Sequence, residues 1–232
     1  MSRHSPDVVW QEGDLSRQER WGSLGTQGAT VWLTGLPASG KSTIAAALEA
    51  HLVRAGRFAY TLDGDNLRHG ICGDLGFSET DRGRNIIRVG ELARLFADSG
   101  AVAIVALVSP LADCRDEVRR VHERDSLQFL EVLVDTSVEV CEARDPKSLY
   151  ARARAGEIHG FTGVDDPYER PTRPDLVLPE GVSVPSALDA ILELLDGGAQ
   201  RASADKTRPA RPGRGQSLAG MHAGHRHDGI GT

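Results

Sequence analysis

Aromatic residues make up only 5% of this 232-residue chain, and it contains just three cysteines. Cys72, Cys114 and Cys141 form no C-x-x-C pair and no metal-type spacing, which excludes a disulfide-stapled scaffold and a zinc module and points to a reducing cytoplasm. Long apolar runs are missing too. The longest, Ala101–Val108, falls far short of the ~20 residues that a membrane span requires, and no N-terminal stretch has the apolar core of a secretory signal. A soluble, cytoplasmic protein is expected. Basic charge is also scarce in the body of the chain. The formal net charge is −6; from Gly197 onward six Lys/Arg stand against two Asp/Glu, a net +4, which leaves about −10 on residues 1–196. So acidic a body excludes general nucleic-acid binding.

What the chain does have is Gly35-Leu36-Pro37-Ala38-Ser39-Gly40-Lys41-Ser42, a complete G-x-x-x-x-G-K-[ST] phosphate loop followed by Thr43. The apolar stretch Thr30–Thr34 precedes it, and Ile44, Leu48 and Leu52 recur at helical spacing after it. That strand–loop–helix context gives the pattern a mechanism. Glycines let successive N–H groups and the helix N-terminus face a polyphosphate. Lys41 reaches the β- and γ-phosphates, and the Ser42 hydroxyl is a Mg²⁺ ligand. The expected ligand is ATP or GTP.

Apolar strands and amphipathic helices alternate through the rest. Strands are expected at Val31–Leu33, Phe58–Leu62, Ala101–Val108, Phe129–Val134 and Leu176–Leu178. Helices are expected at Lys41–Arg54, Arg82–Asp98, Arg115–Glu123, Ser137–Ala143 and Ser186–Leu195. The fold class is therefore α/β: a phosphate-loop-type parallel sheet with helices on both faces and ligands at the carboxyl ends of the strands. Residues 1–28 read as an N-terminal arm bearing Trp10 and Trp21, 29–196 as the folded domain, and 197–232 as a disordered basic tail. The tail's His222, His225 and His227 are not expected to form a functional metal site, because flexible histidines lack a packed second shell and bind a metal weakly at best.

The second strand leads into Leu62-Asp63-Gly64-Asp65-Asn66-Leu67-Arg68-His69-Gly70. Carboxylates at that strand end lie where Mg²⁺ and an attacking hydroxyl must meet, although Asp-Gly and Asp-Asn also favour plain turns. With this stretch in view, the chain resembles the adenylyl-sulfate kinase family. The same resemblance runs through Asp74-Leu75-Gly76-Phe77-Ser78, Asp81-Arg82 with Asn85-Ile86, Val89-Gly90-Glu91 and Ser109-Pro110. It is strongest over Cys141–Lys147, Leu149-Tyr150, Ala153–Ile158 and Phe161–Glu169, and spans Val8 to Leu195.

The resemblance implies a kinase that phosphorylates the 3′-hydroxyl of adenylyl sulfate with ATP and Mg²⁺, as a homodimer, in sulfate assimilation. It implies that Asp63 stands near Mg²⁺ and the acceptor hydroxyl, and that Asp65, Arg68, Arg82 and Asn85 hold the acceptor. Phe77 and Phe161 would flank its adenine. Arg144 and the segment 147–163 resemble a mobile lid. Ser109, matched to a serine regarded as a phosphorylated intermediate, is expected to line the site without being obligatory, because direct transfer needs only aligned nucleotides. Some positions depart from the family. Leu111 and Ala112 stand where an aromatic residue and an arginine are common, His159 replaces a lysine or arginine, and Arg84 replaces a glutamate. Two rival readings stay open: a kinase of the same fold for another small hydroxyl acceptor, and a nucleotide-binding regulatory subunit, paired with a sulfurylase, that has lost turnover.

Overall fold

The computed structural model describes residues 8, 9, 11 and 13–206. Strands β1 (Ala29–Thr34), β2 (Ala59–Asp63), β3 (Val102–Ala106), β4 (Gln128–Asp135) and β5 (Leu176–Pro179) form a parallel sheet in the order β2-β3-β1-β4-β5. The helices between and around them are α1 (Arg17–Leu24), α2 (Lys41–Arg54), α3 (Gly64–Arg68), α4 (Glu79–Ser99), α5 (Ala112–Arg124), α6 (Val138–Arg144), α7 (Leu149–Arg154) and α8 (Val184–Lys206).

Two cores result, one per sheet face. Side chains alternate along a strand, so Val31 and Leu33 join Ile104 and Val132 against Ile44 and Leu48 of α2 and Ile191 and Leu195 of α8. Trp32, between them, turns the other way and meets Val105, Phe129, Ile86 and Val89 of α4 and Val118 of α5. Strands covered on both faces read as continuous apolar runs. At Gly90 the α4–α5 crossing is so close that a Cβ would come within 2.4 Å of Val118.

The expected strands and helices are present, with shifted boundaries. Helix α4 begins at Glu79 rather than near Arg82, because the Ser78 side chain caps it by accepting from the Asp81 N–H. The polar stretch after β2 contains a short helix, α3, capped by the Asp63 carboxylate. The charged 147–163 segment contains α7, whose first turn is held by Asp145 accepting from the N–H groups of Leu149 (2.7 Å) and Ala151 (3.1 Å). Helix α8 runs to Lys206, so the expected start of a disordered tail at Gly197 falls inside a helix. Ala, Gln, Arg and Lys after Gly198 all favour that continuation. The remainder of the tail, with its three histidines, and Trp10 of the arm lie outside the described residues. The arm's α1 sits on the C-terminal end of α4: Trp21 Nε1 donates to Asp98 O (3.0 Å), and Arg17 and Arg20 pair with the Asp98 carboxylate.

One buried titratable group gives the fold a pH dependence. His122 of α5 is fully buried, with Nδ1 2.8 Å from Val118 O and Nε2 2.9 Å from Thr30 Oγ1. A carbonyl can only accept, so Nδ1 carries the proton and Nε2 accepts from Thr30. Desolvation pulls the His122 pKa below its ordinary value; the Val118 hydrogen bond opposes it, Arg94 adds to it, and Glu91 and Asp125 pull back more weakly. With the folded-state pKa depressed, the unfolded chain binds the proton more readily. Stability is therefore fully present above the unfolded value of about 6.5 and falls as pH drops below it. The melting temperature of the wild type should fall more steeply between pH 7.5 and 5.5 than that of His122→Gln. Parallel curves would show that His122 does not contribute.

Candidate functional site

Everything in the cleft is organised around the carbonyls of the phosphate loop. A loop that presents its N–H groups to an anion must turn its C=O groups away, and buried carbonyls need donors. Lys41 Nζ donates to Gly35 O (3.0 Å), Leu36 O (2.6 Å) and Ser39 Oγ (3.2 Å). Tyr150 OH donates to Pro37 O at 3.1 Å, Arg144 reaches Ala38 O and Ser39 O at 3.4 and 3.3 Å, and Thr136 Oγ1 donates to Ser39 O at 3.1 Å. The turn itself needs glycine at Gly35, where φ is +148° and a Cβ would come within 2.5 Å of Val134 O. Helix α2 starts at Gly40 with no side-chain cap. Its first N–H groups therefore stay open to a ligand, at the positive end of the helix dipole.

A cleft of about 1230 Å³ opens above this loop along the carboxyl ends of the strands. Pro37 through Thr43, Asp63, Asp65, Arg68, Phe77, Arg82, Asn85, Ser109, Arg144 and Phe161 all line it. Gly35 and Leu36 do not. They face a second cavity of about 600 Å³ behind the loop and serve the site through their carbonyls. Thr136, Pro179, Gly181, Val182 and Val184 line the cleft without having been singled out from the sequence. Their signal is topological, since all but Val184 cluster at the ends of β4 and β5, and it appears only once strand order is known.

Electrostatics divide the cleft. Lys41 is 7% exposed, and desolvation pulls its pKa down to about 8, against smaller upward pulls from Cys141, Asp63 and Asp65. Ser42 Oγ donates to Asp63 Oδ2 at 2.7 Å, and Asp63 Oδ1 accepts from the Asp65 N–H at 2.9 Å. A hydroxyl and a carboxylate beside a phosphate loop form the hard-oxygen pair that suits Mg²⁺, which takes one or two protein oxygens and completes its shell from phosphates and water. Lys147 forms an ion pair with Asp65 across the cleft mouth.

At the far end Arg68 donates to Leu75 O (3.0 Å) and Gly76 O (3.1 Å), and its guanidinium lies 4.2 Å from the Phe77 ring centroid. Arg82 donates to Phe77 O (2.8 Å), Thr162 Oγ1 (2.8 Å), Asp166 and Gly160 O, so it ties α4 to the loop carrying Phe161. Asn85 is 3% exposed, and its Oδ1 has no hydrogen-bond partner among the described residues. Of the departures from the family pattern, Leu111 packs against the second core, the Ala112 N–H donates to Glu169 Oε2 (2.6 Å), and Arg84 is exposed, 3.5 Å from Asp81. His159 is exposed.

Ser109 sits at the end of β3 with φ +42°. Its hydroxyl donates to Thr34 Oγ1 (2.8 Å) and accepts from Trp32 Nε1 (3.1 Å). Arg115, 2% exposed and paired with Glu131 at 2.8 Å, holds Ser109 O and Glu169 O at 2.6 Å each. Among the described residues no carboxylate or imidazole hydrogen-bonds the hydroxyl, whereas a serine nucleophile needs such a base.

The family model for adenylylsulphate kinase matches residues 27–179. The chain belongs to the adenylyl-sulfate kinase family. It is 49% identical over 177 residues to the adenylyl-sulfate kinase of Clostridium acetobutylicum, covering 76% of this chain and 87% of that one. With adenylyl-sulfate kinase 3 of Arabidopsis thaliana it shares 50% identity over 177 residues, covering 76% and 84%. Among solved structures, the Mycobacterium tuberculosis APS kinase CysC in complex with AMPPNP and APS aligns with a TM-score of 0.72 at 49% identity, covering 74% of this chain and 99% of that one. A hexameric APS kinase from Thiobacillus denitrificans aligns at 0.57 and 32% identity, covering 75% of this chain and 30% of that one.

Two outcomes follow from the geometry. Ser109→Ala should keep at least about a tenth of wild-type kcat, a loss under ~1.4 kcal/mol. A fall of several orders of magnitude, with a phosphoenzyme formed at a competent rate, would establish a covalent route instead. Lys41 is charged below pH 8 in the ligand-free protein, and a bound polyphosphate favours the charged form. ADP affinity measured by calorimetry should thus weaken as pH rises past 8. A level profile from pH 7 to 9.5 would place the Lys41 charge outside the binding step.

Proposed function

We propose that this protein transfers the γ-phosphoryl group of ATP to the 3′-hydroxyl of adenylyl sulfate, giving 3′-phosphoadenylyl sulfate and ADP. The observation that carries the reading is the double character of one cleft: a phosphate loop at one end, and at the other the buried, unpartnered Asn85 Oδ1 among two arginines and two aromatic rings. An orphaned buried acceptor is costly without a ligand donor. Adenine and ribose supply such donors.

In this reading the amides of the phosphate loop and the start of α2 hold the β- and γ-phosphates. Lys41 turns from the loop carbonyls to the oxygens on which charge accumulates during transfer. Ser42 and Asp63 would hold Mg²⁺, which when bound would supply positive charge to the phosphates. Asp63 also orients the 3′-hydroxyl and accepts its proton. Arg68, Arg82 and Asn85 grip the acceptor, with Phe77 and Phe161 against its base. The segment from Arg144 to Gly163, drawn over the cleft by the Lys147–Asp65 pair, excludes water that would otherwise hydrolyse ATP. We further infer a homodimer on family grounds.

ADP release with ATP, Mg²⁺ and a panel of hydroxyl acceptors tests the reading. Adenylyl sulfate should be the preferred acceptor. Turnover with a different acceptor, or with none, would support one of the rival readings in its place. Lys41→Met should lower kcat about 10²–10³-fold, the scale for loss of one oxyanion donor, while the circular dichroism spectrum is kept. Arg68→Ala should raise KM for adenylyl sulfate about ten- to a hundred-fold, as for a lost charge-assisted hydrogen bond of about 1.5–3 kcal/mol. If KM for ATP rose instead, the two ends of the cleft would have to be exchanged.

A further inference from the structure

Ser109 lines the cleft floor in a conformation that serine rarely takes. Its φ is +42°, in a region that glycine enters without strain, so the side chain is kept at a conformational cost. The hydroxyl it carries is directed by Thr34, the fully buried last residue of β1. Among the described residues Thr34 Oγ1 has three partners: Val108 O at 2.8 Å, Ser109 Oγ at 2.8 Å and Tyr168 OH at 2.9 Å. A threonine hydroxyl has one proton and two lone pairs. The Val108 carbonyl can only accept, so it takes the Thr34 proton, and Ser109 and Tyr168 must both donate to Thr34. Trp32 lies two residues back on the same face of β1. Its indole N–H, a donor only, reaches Ser109 Oγ at 3.1 Å. The Ser109 proton is thus committed to the protein, where Leu107 O at 3.3 Å is a second, longer acceptor. Trp32 fills one Ser109 lone pair. One lone pair is left.

We propose that Thr34 is a positioning residue for the acceptor site: by taking the Ser109 proton it leaves the Ser109 oxygen facing the cleft as a pure hydrogen-bond acceptor, which selects a hydroxyl or amino donor on the substrate. The proposal rests on the reading of adenylyl sulfate as acceptor, whose ribose hydroxyls and adenine amino group are such donors. The floor then has the same polarity as the unpartnered Asn85 Oδ1 on α4. Backbone and hydroxyl of Ser109 are fixed by different partners, since Arg115 holds the carbonyl at 2.6 Å. The phosphate loop does not share the Thr34 hydroxyl either, because the Gly35 carbonyl that follows it is held by Lys41.

Steady-state kinetics on the full chain with ATP and adenylyl sulfate test this. Thr34→Val keeps the shape and removes the hydroxyl. It should raise KM for adenylyl sulfate about two- to ten-fold, as for one neutral hydrogen bond, with KM for ATP unchanged. Thr34→Ser returns the hydroxyl and should return the wild-type KM. Ser109→Ala should raise KM for adenylyl sulfate to a similar extent. The double variant Thr34→Val/Ser109→Ala should be no worse than Ser109→Ala alone, because Thr34 acts through Ser109. Tyr168→Phe removes another bond from the same hydroxyl and should leave both KM values as in the wild type. A purely structural threonine would lower the melting temperature and leave KM for adenylyl sulfate unchanged, and that result overturns the proposal. So does a rise in KM for ATP instead, or additivity in the double variant. A wild-type KM in Ser109→Ala overturns it as well, and decides the matter if Thr34→Val does not fold. Wild-type turnover with adenylyl sulfate keeps the two levels apart. Without it the acceptor reading fails and the role of Thr34 fails with it; with it, the variants judge Thr34 alone.

Discussion

The cleft depends on one requirement: the carbonyls of residues 35–39 must point away from the ligand and still be satisfied. A tight anion-binding loop exposes its N–H groups only by turning its C=O groups into the protein, where each unpaired group is costly. The donors come from four places in the chain. Lys41 lies inside the motif, Thr136 follows β4, Arg144 ends α6 and Tyr150 begins α7. The loop is thus a short local motif completed by residues about a hundred positions away. This dependence explains why the lid segment cannot be treated as an independent flap, since its base is part of the scaffold of the phosphate loop.

The sheet brings those donors together. With β1 central and flanked by β3 and β4, the loops after these strands converge on the phosphate loop. A buried polar layer keeps them in place. Thr34, Ser109, Trp32 and Tyr168 share a set of hydrogen bonds beneath the cleft floor, and the Arg115–Glu131 pair anchors the backbone of both Ser109 and Glu169. Such a network is favourable only when all its members are satisfied. Its satisfaction also accounts for the strained φ at Ser109, which the surrounding contacts impose.

The phosphate loop was legible in the sequence because its chemistry is local: four glycine, lysine and serine constraints, Gly35, Gly40, Lys41 and Ser42, in one run. The β3 and β4 strands were legible because burial on both faces leaves an unbroken apolar signature. Less visible were features whose cause lies elsewhere in the chain. Helix α3 depends on Asp63, which reads as a turn residue and acts as a cap. Helix α7 depends on Asp145, three positions before the formal N-cap Ser148. Gly197 and Gly198 read as the end of structure, yet α8 continues through them. Among the site residues, Asn85 and Phe77 came from family resemblance rather than from their own chemistry. Nothing in the periodicity of α4 separates Asn85 from an ordinary polar position, and its unpartnered oxygen is visible only in three dimensions.

The acceptor end also shows how this chain tolerates its departures from the family pattern. Arg68 and Arg82 each donate to backbone carbonyls or loop side chains before any ligand arrives, so their guanidinium planes are fixed in advance. Fixing them beforehand reduces the rotamer entropy lost on binding, which is otherwise about 0.5–1.5 kcal/mol per long side chain. Ala112 offers no charge, but its N–H is already engaged by Glu169, which closes the gap without leaving an unsatisfied group. On the proposed reading, recognition of an anionic acceptor would depend on few cations held rigidly rather than on many held loosely. The Arg82 contacts with residues 160–166 make that rigidity a property of the lid as much as of α4.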